Sequence, residues 1–302
     1  MGHFYRALNL AQGLRQAGKP CKFYLNRHDV SCALLQEQGH SFEIVVLNDF
    51  TSCWEHKAIA NDGITCWIND RLDTDARHAA QIKAAGIPLA TFDDRGSGAA
   101  QADLHIAALA FDAKENLAGA KVLRGADYLV LNPAIARHAR LRSSLSRILV
   151  TLGGSDTRGV TVKVVQLLAA TGRGATVLLG PAFGHMAELE QVITDDFVIK
   201  RGVPSLIEEF AAHDLAVTGG GITPFEANAS GLPCIVIACE MFEIPVGKAL
   251  QELGGSMYAG YHENMHLSLP DGLPLDQMSK SGIRNIGLDG TARVVAALTE
   301  LA

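Results

Sequence analysis

The sequence predicts an α/β protein made of two Rossmann-like halves in tandem, each built on a parallel sheet. Three observations predict it. Short apolar runs, "CKFYL", "FEIVVL", "ITCWIN", "PLATFDD", "DLHIAAL" and "DYLVL", mark the first half, several of them separated by helical stretches, and that alternation belongs to parallel strands joined by helical crossovers. After the basic stretch "LNPAIARHARLRSSLS" a second series runs through "RILVTLGG", "ATVLLG", "DFVIK", "DLAVTGGG" and "PCIVIAC", each followed by a helical pattern. Two members of that series end in consecutive glycines, where a Rossmann-like domain meets its ligand. The expected domains are residues 1–140 and 147–302, joined near 133–146, with a cleft between them.

The first element is a helix beginning "GHFYRALNL", with Phe4, Ala7, Leu8, Ala11 and Leu14 on one apolar face at helical spacing. A helix opened by Gly2 and His3 usually follows a strand and a tight turn, so the sheet of the first half is expected to lack its first strand. Because that strand is typically central and flanked on both sides, either another segment fills its place or the protein starts upstream. Helices are expected over 3–17, this first element, and over 28–38 and 73–85, the last stopped by Gly86. "SLPDGLPLDQMSKSG" reads as a surface connection, and the closing helix "GTARVVAALTELA" is expected to pack back on the first half.

With 302 residues, 48% of them hydrophobic, the chain can build two medium cores. A formal net charge of −6 and a pI near 6.0 leave no basic stripe for nucleic acid. Cys21, Cys32, Cys53, Cys66, Cys234 and Cys239 form no C-x-x-C pair and no zinc spacing, so the expectation is buried thiols in a cytoplasmic protein without a metal site. No apolar run reaches the roughly 18 residues that span a bilayer.

Chemistry is expected at two glycine turns and one polar cluster. In "VTLGGSD" (150–156) a strand ends in Gly153 and Gly154, followed by Ser155 and Asp156. Glycines there let the backbone approach a ligand, and the free N–H groups of the next helix favour an anion such as a diphosphate. In "TGGGITPFEANASGLP" (218–233) Gly219, Gly220 and Gly221 precede a helix that Thr223 can cap, with Pro224 in its first turn. Glu226 falls in that first turn, badly placed for phosphate and well placed for ribose hydroxyls. Both patterns are also ordinary structural punctuation, a turn and a capped helix. Neither is a G-x-x-x-x-G-K-[ST] loop or a first-sheet G-x-G-x-x-G, which argues against a P-loop triphosphatase and a dehydrogenase. For acid/base work the first half offers His3, Asp70, Asp73, Asp93 and Asp94, the last two at the end of a strand that faces the crevice. His3 stands at a helix start, where the helix dipole favours the neutral imidazole that can accept a proton.

Taken in order, "GHFYRALNLAQGL", "GIPLATFDDRGSG", "ADYLVLNP", "ILVTLGGSDTRGVTVKVVQLL", "AAHDLAVTGGGITPFEANASGLPCIVIA" and "MSKSGIRNIGLDGTARVVAAL" resemble the UDP-sugar hydrolases of pseudaminic acid biosynthesis and their spore-coat-polysaccharide relatives. The second half is also similar to the nucleotide half of the lipid II UDP-N-acetylglucosamine transferases. The resemblance implies the GT-B architecture of two facing Rossmann-like domains, with UDP against the second. It places Gly153, Gly154 and Ser155 near phosphate or the cleft, Gly220, Gly221, Ile222 and Thr223 near the diphosphate, and Glu226 on the ribose. Gly2, His3 and Arg6 match the end of the family's G-x-G-H-x-x-R loop, so His3 is implied to be the base for water attack at the anomeric carbon, displacing UDP with inversion. Asp70, Arg71 and Asp94 would face the sugar, and no cofactor is required. Where the hydrolases show an Asp-His-Tyr-like stretch this chain reads Asn69-Asp70-Arg71, without the Tyr. The expected function is hydrolysis of a UDP-linked amino sugar on the way to a nonulosonic acid or related surface sugar, by a monomer. The alternatives are a UDP-sugar-dependent glycosyltransferase and a non-catalytic UDP-sugar-binding protein.

Overall fold

Strands of four or five apolar residues flanked by helices bury both faces only in a covered parallel sheet, and every strand pair among the described residues is parallel. The computed structural model describes residues 2–112, 114–203, 205–269 and 272–301. Contacts divide the chain into two units, residues 3–130 with 289–302, and residues 131–288.

The first unit runs α1 (Gly2–Gln16), β1 (Lys22–Leu25), α2 (Asp29–Glu37), β2 (Ser41–Ile44), α3 (Trp54–Asp62), β3 (Trp67–Asn69), α4 (Ala76–Ala84), β4 (Leu89–Phe92), β5 (Leu104–Ala107) and β6 (Lys121–Arg124). β1 pairs with β2, and β3, β4, β5 and β6 form a four-stranded sheet in that order. Among the described residues no strand pairs with both β1 and β3, so the unit carries two separate parallel sheets. α1 buries Leu8, Leu10, Ala11 and Leu14, but Phe4 and Ala7 are only half-buried and Arg6 is buried in their place. The buried face is therefore rotated from the expected one. Leu10 and Leu14 pack on Phe92, Leu104 and Ile106 and on the closing helix Gly290–Leu301 through Val294 and Leu298. α4 starts at Ala76, later than the expected 73, because the Asp75 side chain accepts Arg77 N–H and caps it there.

"DYLVL" is not a strand. Ala126–Tyr128 is a single 3₁₀ turn, and the last strand of the sheet is "KVLR", β6. As an edge strand with exposed Lys121 and Arg124 it carries no apolar run to read.

The second unit runs α5 (Ile135–His138), β7 (Ile148–Thr151), α6 (Val160–Ala170), β8 (Ala175–Leu179), α7 (Met186–Glu190), β9 (Phe197–Arg201), α8 (Leu206–Ala212), β10 (Leu215–Gly219), α9 (Thr223–Ala229), β11 (Cys234–Ala238), α10 (Glu243–Glu252), β12 (Ser256–Tyr261) and α11 (Leu275–Asn285). Its six parallel strands take the order β12, β11, β10, β7, β8, β9, around a core that includes Val150, Val177, Leu215, Val217, Ile235 and Ile237. The strand order reverses beside β7, the topological switch point at which open α/β sheets bind ligands. There β7 and β10 are neighbours with Thr151 opposite Thr218, so the two glycine turns leave the sheet side by side.

The expected surface connection over 268–282 is helical from Leu275, and α11 buries Leu275, Met278, Ser279 and Gly282; Pro270 and Asp271 of that stretch lie outside the described residues. The thiols are not uniformly buried: Cys234 is buried, Cys53 exposed and the other four half-buried, none of them paired.

Arg142 ties helix ends together. Nη2 donates to Phe210 O at 2.7 Å, Nε to His213 O at 3.3 Å, and Nη1 to Arg140 O at 2.6 Å and to Ser230 O. The carbonyls of Phe210, His213 and Ser230 close α8 and α9, where the negative ends of the helices lie. Burial, reinforced by Arg140, pulls the guanidinium down to about 10. Replacing it (Arg142→Met) removes one donor from each of those carbonyls and is expected to lower stability by about 2 to 4 kcal/mol, read as a shift in the urea midpoint with an unchanged slope.

Candidate functional site

In the first unit the start of α1 meets the carboxyl ends of β3 and β4. His3 Nδ1 lies 2.7 Å from Asp70 Oδ1. Arg6 donates through Nε to Asp70 Oδ2 at 2.9 Å, through Nη2 to Asp70 Oδ1, and through Nη1 to Asp93 Oδ2. Burial works against charge on both sides of this cluster. For Arg6 the two carboxylates more than offset it and its pKa is raised. For Asp70 the Arg6 guanidinium, helped by the bond from His3, overcomes burial and holds the carboxyl below its usual range. An ionised Asp70 is an acceptor only, so the proton between the two residues belongs to His3 Nδ1. Arg6 Nη2, 3.2 Å from the same nitrogen, shares that acceptor. Nδ1 is thus engaged with Asp70, Nε2 has no hydrogen-bond partner among the described residues, and 43% of the side chain is exposed. An oriented imidazole with a free nitrogen is the arrangement of a general base.

Two buried networks hold this cluster from behind. Asn69, the last residue of β3, accepts from Trp67 Nε1 at 3.0 Å and donates to Thr74 Oγ1 at 3.2 Å. His78 lies 3.1 Å from Asn69 Oδ1 through Nε2 and 2.7 Å from Glu55 Oε1 through Nδ1. Asp94 does not reach His3 or Arg6; it accepts Thr74 N–H at 3.0 Å and Gly96 N–H at 2.8 Å and so ties two loops together. His105 accepts Asp94 N–H through Nε2 and donates from Nδ1 to Ala118 O. Arg71 donates to Asn48 Oδ1 at 2.8 Å, and Asp73 is exposed beside it.

In the second unit Thr151, Leu152, Gly153, Gly219, Gly221, Thr223, Cys239 and Glu243 line a cavity of about 110 Å³. Gly153 has a φ of +86°, open to glycine and strained for other residues. At Gly220 the need is proximity, since a Cβ there would lie 2.6 Å from Cβ of Glu243. The expectation of free N–H groups meets two corrections. Asp156 accepts Val160 N–H at 2.9 Å and Thr161 N–H at 2.8 Å, so the start of α6 already holds a carboxylate of the chain. Glu243 Oε2 likewise accepts Cys239 N–H at 2.7 Å, Glu240 N–H at 3.3 Å and Gly220 N–H at 3.4 Å. Thr223 does not cap α9; Ile222 occupies the cap position, without a side-chain bond. Glu226 sits in the first turn of α9, where burial pushes its carboxyl up to about 7. Ser155 is exposed on the first glycine turn, and Gly154 O accepts Ala182 N–H at 3.0 Å.

Cys239 and Glu243 carried no motif. The signal for them was positional, because the loop after β11 leaves the sheet beside the loop after β10. Among the described residues no group of three or more His, Cys, Asp or Glu side chains is placed to hold a metal ion, and no helix is long and apolar enough to cross a membrane.

The fold is the GT-B fold, consistent with two Rossmann-like domains. Its known relatives sharpen the comparison. The chain is 25% identical over 305 residues to the spore coat polysaccharide biosynthesis protein SpsG of Bacillus subtilis (strain 168), covering 93% of this chain and 84% of that protein. It is 27% identical over 261 residues to an uncharacterized protein of Methanocaldococcus jannaschii, covering 78% of this chain. The chain spans about half the length of that archaeal relative, 52%. Among solved structures, S. aureus MnaA in complex with UDP matches with a TM-score of 0.71 at 13% identity, over 99% of this chain and 94% of that one; several glycosyltransferases share the fold as well. No protein-family model matches the chain.

The raised carboxyl of Glu226 has a consequence for stability. A group whose folded pKa lies above its unfolded value favours the protonated state on folding, so its contribution is complete below about 4.5 and is lost as pH rises through about 7. Glu226→Gln is therefore expected to raise the unfolding midpoint at pH 8 and to have little effect at pH 4, as measured by thermal melts across that range.

Proposed function

We propose that this protein hydrolyses a UDP-linked amino sugar at its anomeric carbon, releasing UDP and the free sugar, as a cytoplasmic monomer in the synthesis of a nonulosonic acid or related surface polysaccharide. The observation that carries the reading is the His3–Asp70 pair, locked through Arg6 to Asp93, with Nε2 without a partner among the described residues. Water attacks C1 as His3 Nε2 takes its proton. The bond from C1 to the diphosphate oxygen breaks, and UDP leaves with the electron pair, inverting the centre. Arg6 keeps Asp70 ionised, Asp93 holds Arg6 in place, and Asp70 stabilises the imidazolium that forms. In this reading Gly153, Gly154 and Ser155 with Gly220, Gly221, Ile222 and Thr223 take the diphosphate, where backbone dipoles receive the departing charge, and Glu226 takes the ribose hydroxyls. Gly2, Arg71 and Asp94 belong to the sugar side. The B. subtilis relative, a spore coat polysaccharide biosynthesis protein, and the UDP in the S. aureus neighbour support the substrate class.

The glycosyltransferases that share this fold favour a second reading, in which the same base deprotonates an acceptor hydroxyl and the sugar is transferred. Product analysis separates the two. UDP and free sugar formed without an acceptor mark the hydrolase, acceptor-dependent UDP release marks the transferase, and UDP binding without release marks a binding protein. For the hydrolase, His3→Asn is expected to slow UDP release by about 10²-fold or more while leaving the Kd for UDP within about twofold; parallel loss of both would remove His3 from the role of base. Glu226→Ala is expected to weaken UDP binding instead, by about 1 to 3 kcal/mol.

A further inference from the structure

The cavity at the end of β7 and β10 is lined by three glycines, Gly153, Gly219 and Gly221, and by the carboxylate-bearing Glu243, among others. Glu243, the first residue of α10, turns back so that Oε2 accepts N–H groups from two different loops, Cys239 and Glu240 after β11 and Gly220 after β10. Convergent backbone N–H groups at the end of a parallel sheet form an anion site, and in this chain the anion is its own. Gly220 makes the close approach possible, because any side chain there would collide with Glu243. The carboxylate also lines the same cavity as Gly153, Gly221 and Thr223, three residues expected to meet the diphosphate. Two anions in one small, half-buried space repel each other unless one of them is neutralised.

We propose that Glu243 is the resident anion of a phosphate-binding nest, and that a diphosphate entering the nest requires Glu243 to take up one proton from solvent, so that anion binding at this site is proton-linked. The inference rests on the nucleotide reading for its ligand, and on the N–H geometry for the nest itself. The incoming diphosphate forms hydrogen bonds to the loop N–H groups, the Glu243 carboxylate becomes a carboxylic acid, and no covalent bond to the ligand is made. Burial already raises the Glu243 carboxyl against the opposing effect of the three N–H bonds. The other titratable groups around it are Cys239 and Glu240 on its own loop and Tyr258 on β12, with Asp156 and Arg158 acting on that loop from the turn before α6. The like charge of Glu240 reinforces the upward shift. Glu226 works in the opposite sense if it accepts ribose hydroxyls as a carboxylate, so the informative quantity is the difference between proteins that differ only at Glu243.

Isothermal titration of the full chain with UDP and with inorganic pyrophosphate tests this, at pH 5 and pH 8 and in two buffers of different ionisation enthalpy. Glu243→Gln keeps an acceptor for Cys239 N–H and removes the charge. It is expected to bind both probes roughly tenfold tighter than the natural protein at pH 8, with the gain fading towards pH 5, and to take up about one proton fewer on binding. Glu243→Asp, which withdraws the carboxylate by one methylene, is expected to fall between the two and serves if the Gln variant folds poorly. Equal or weaker affinity at pH 8, equal proton uptake, or no binding of either probe by any of the proteins overturns the proposal. Tighter pyrophosphate binding by Glu243→Gln with no UDP binding at all would uphold the nest and overturn the nucleotide reading.

Discussion

A guanidinium taken out of water needs anions held in fixed positions, because desolvation disfavours the charge unless hydrogen-bonded partners restore what water supplied. Arg6, 5% exposed, has two such partners, and they come from the ends of two adjacent strands. One interaction therefore sets the start of α1, the end of β3 and the end of β4 against each other. His3 inherits its position from that arrangement, since Asp70 serves both Arg6 and His3. Removing Asp93, which touches Arg6 and not His3, would loosen the base without touching it.

The second unit shows the same physics in reverse. There the fixed charges are backbone N–H groups, and the chain answers them with its own carboxylates, Asp156 at the start of α6 and Glu243 across the glycine turn. Each satisfies donors that a buried turn would otherwise leave unmatched. The two differ in setting, because Asp156 is buried against a regular helix start, whereas Glu243 lines a cavity where a ligand phosphate has room to compete. Glycine does separate work on either side of that cavity, a left-handed backbone at Gly153 and a close approach at Gly220.

What could be read ahead of the structure followed from periodicity and from the placement of glycine. Strands with both faces covered, such as β4, β7, β10 and β11, are continuous apolar runs and stood out; the edge strands β6 and β12 are half-exposed and did not. Both glycine turns were visible because a strand running into consecutive glycines is a local pattern. Thr223 was misjudged as a cap, since a capping choice between neighbours depends on the backbone angles at Ile222, which no spacing reports. Asp93 and Asp94 were equivalent on paper. Only the left-handed backbone at Asp93, φ +46°, turns its carboxylate to Arg6 while Asp94 holds Thr74 and Gly96.

The sequence by itself determined the alternation of helices and strands, the division into two α/β series and the two glycine turns that end β7 and β10, because each of these is written in contiguous residues. Tertiary structure alone decided that His3, Arg6, Asp70 and Asp93 form one cluster, across 67 residues from His3 to Asp70 and 87 from Arg6 to Asp93. It decided as well that Glu243 crosses 23 residues to reach Gly220. The physical reason is the same in each case. Charge pairing and N–H satisfaction act through space between groups brought together by the sheets, and no local propensity or period encodes which distant carboxylate will arrive.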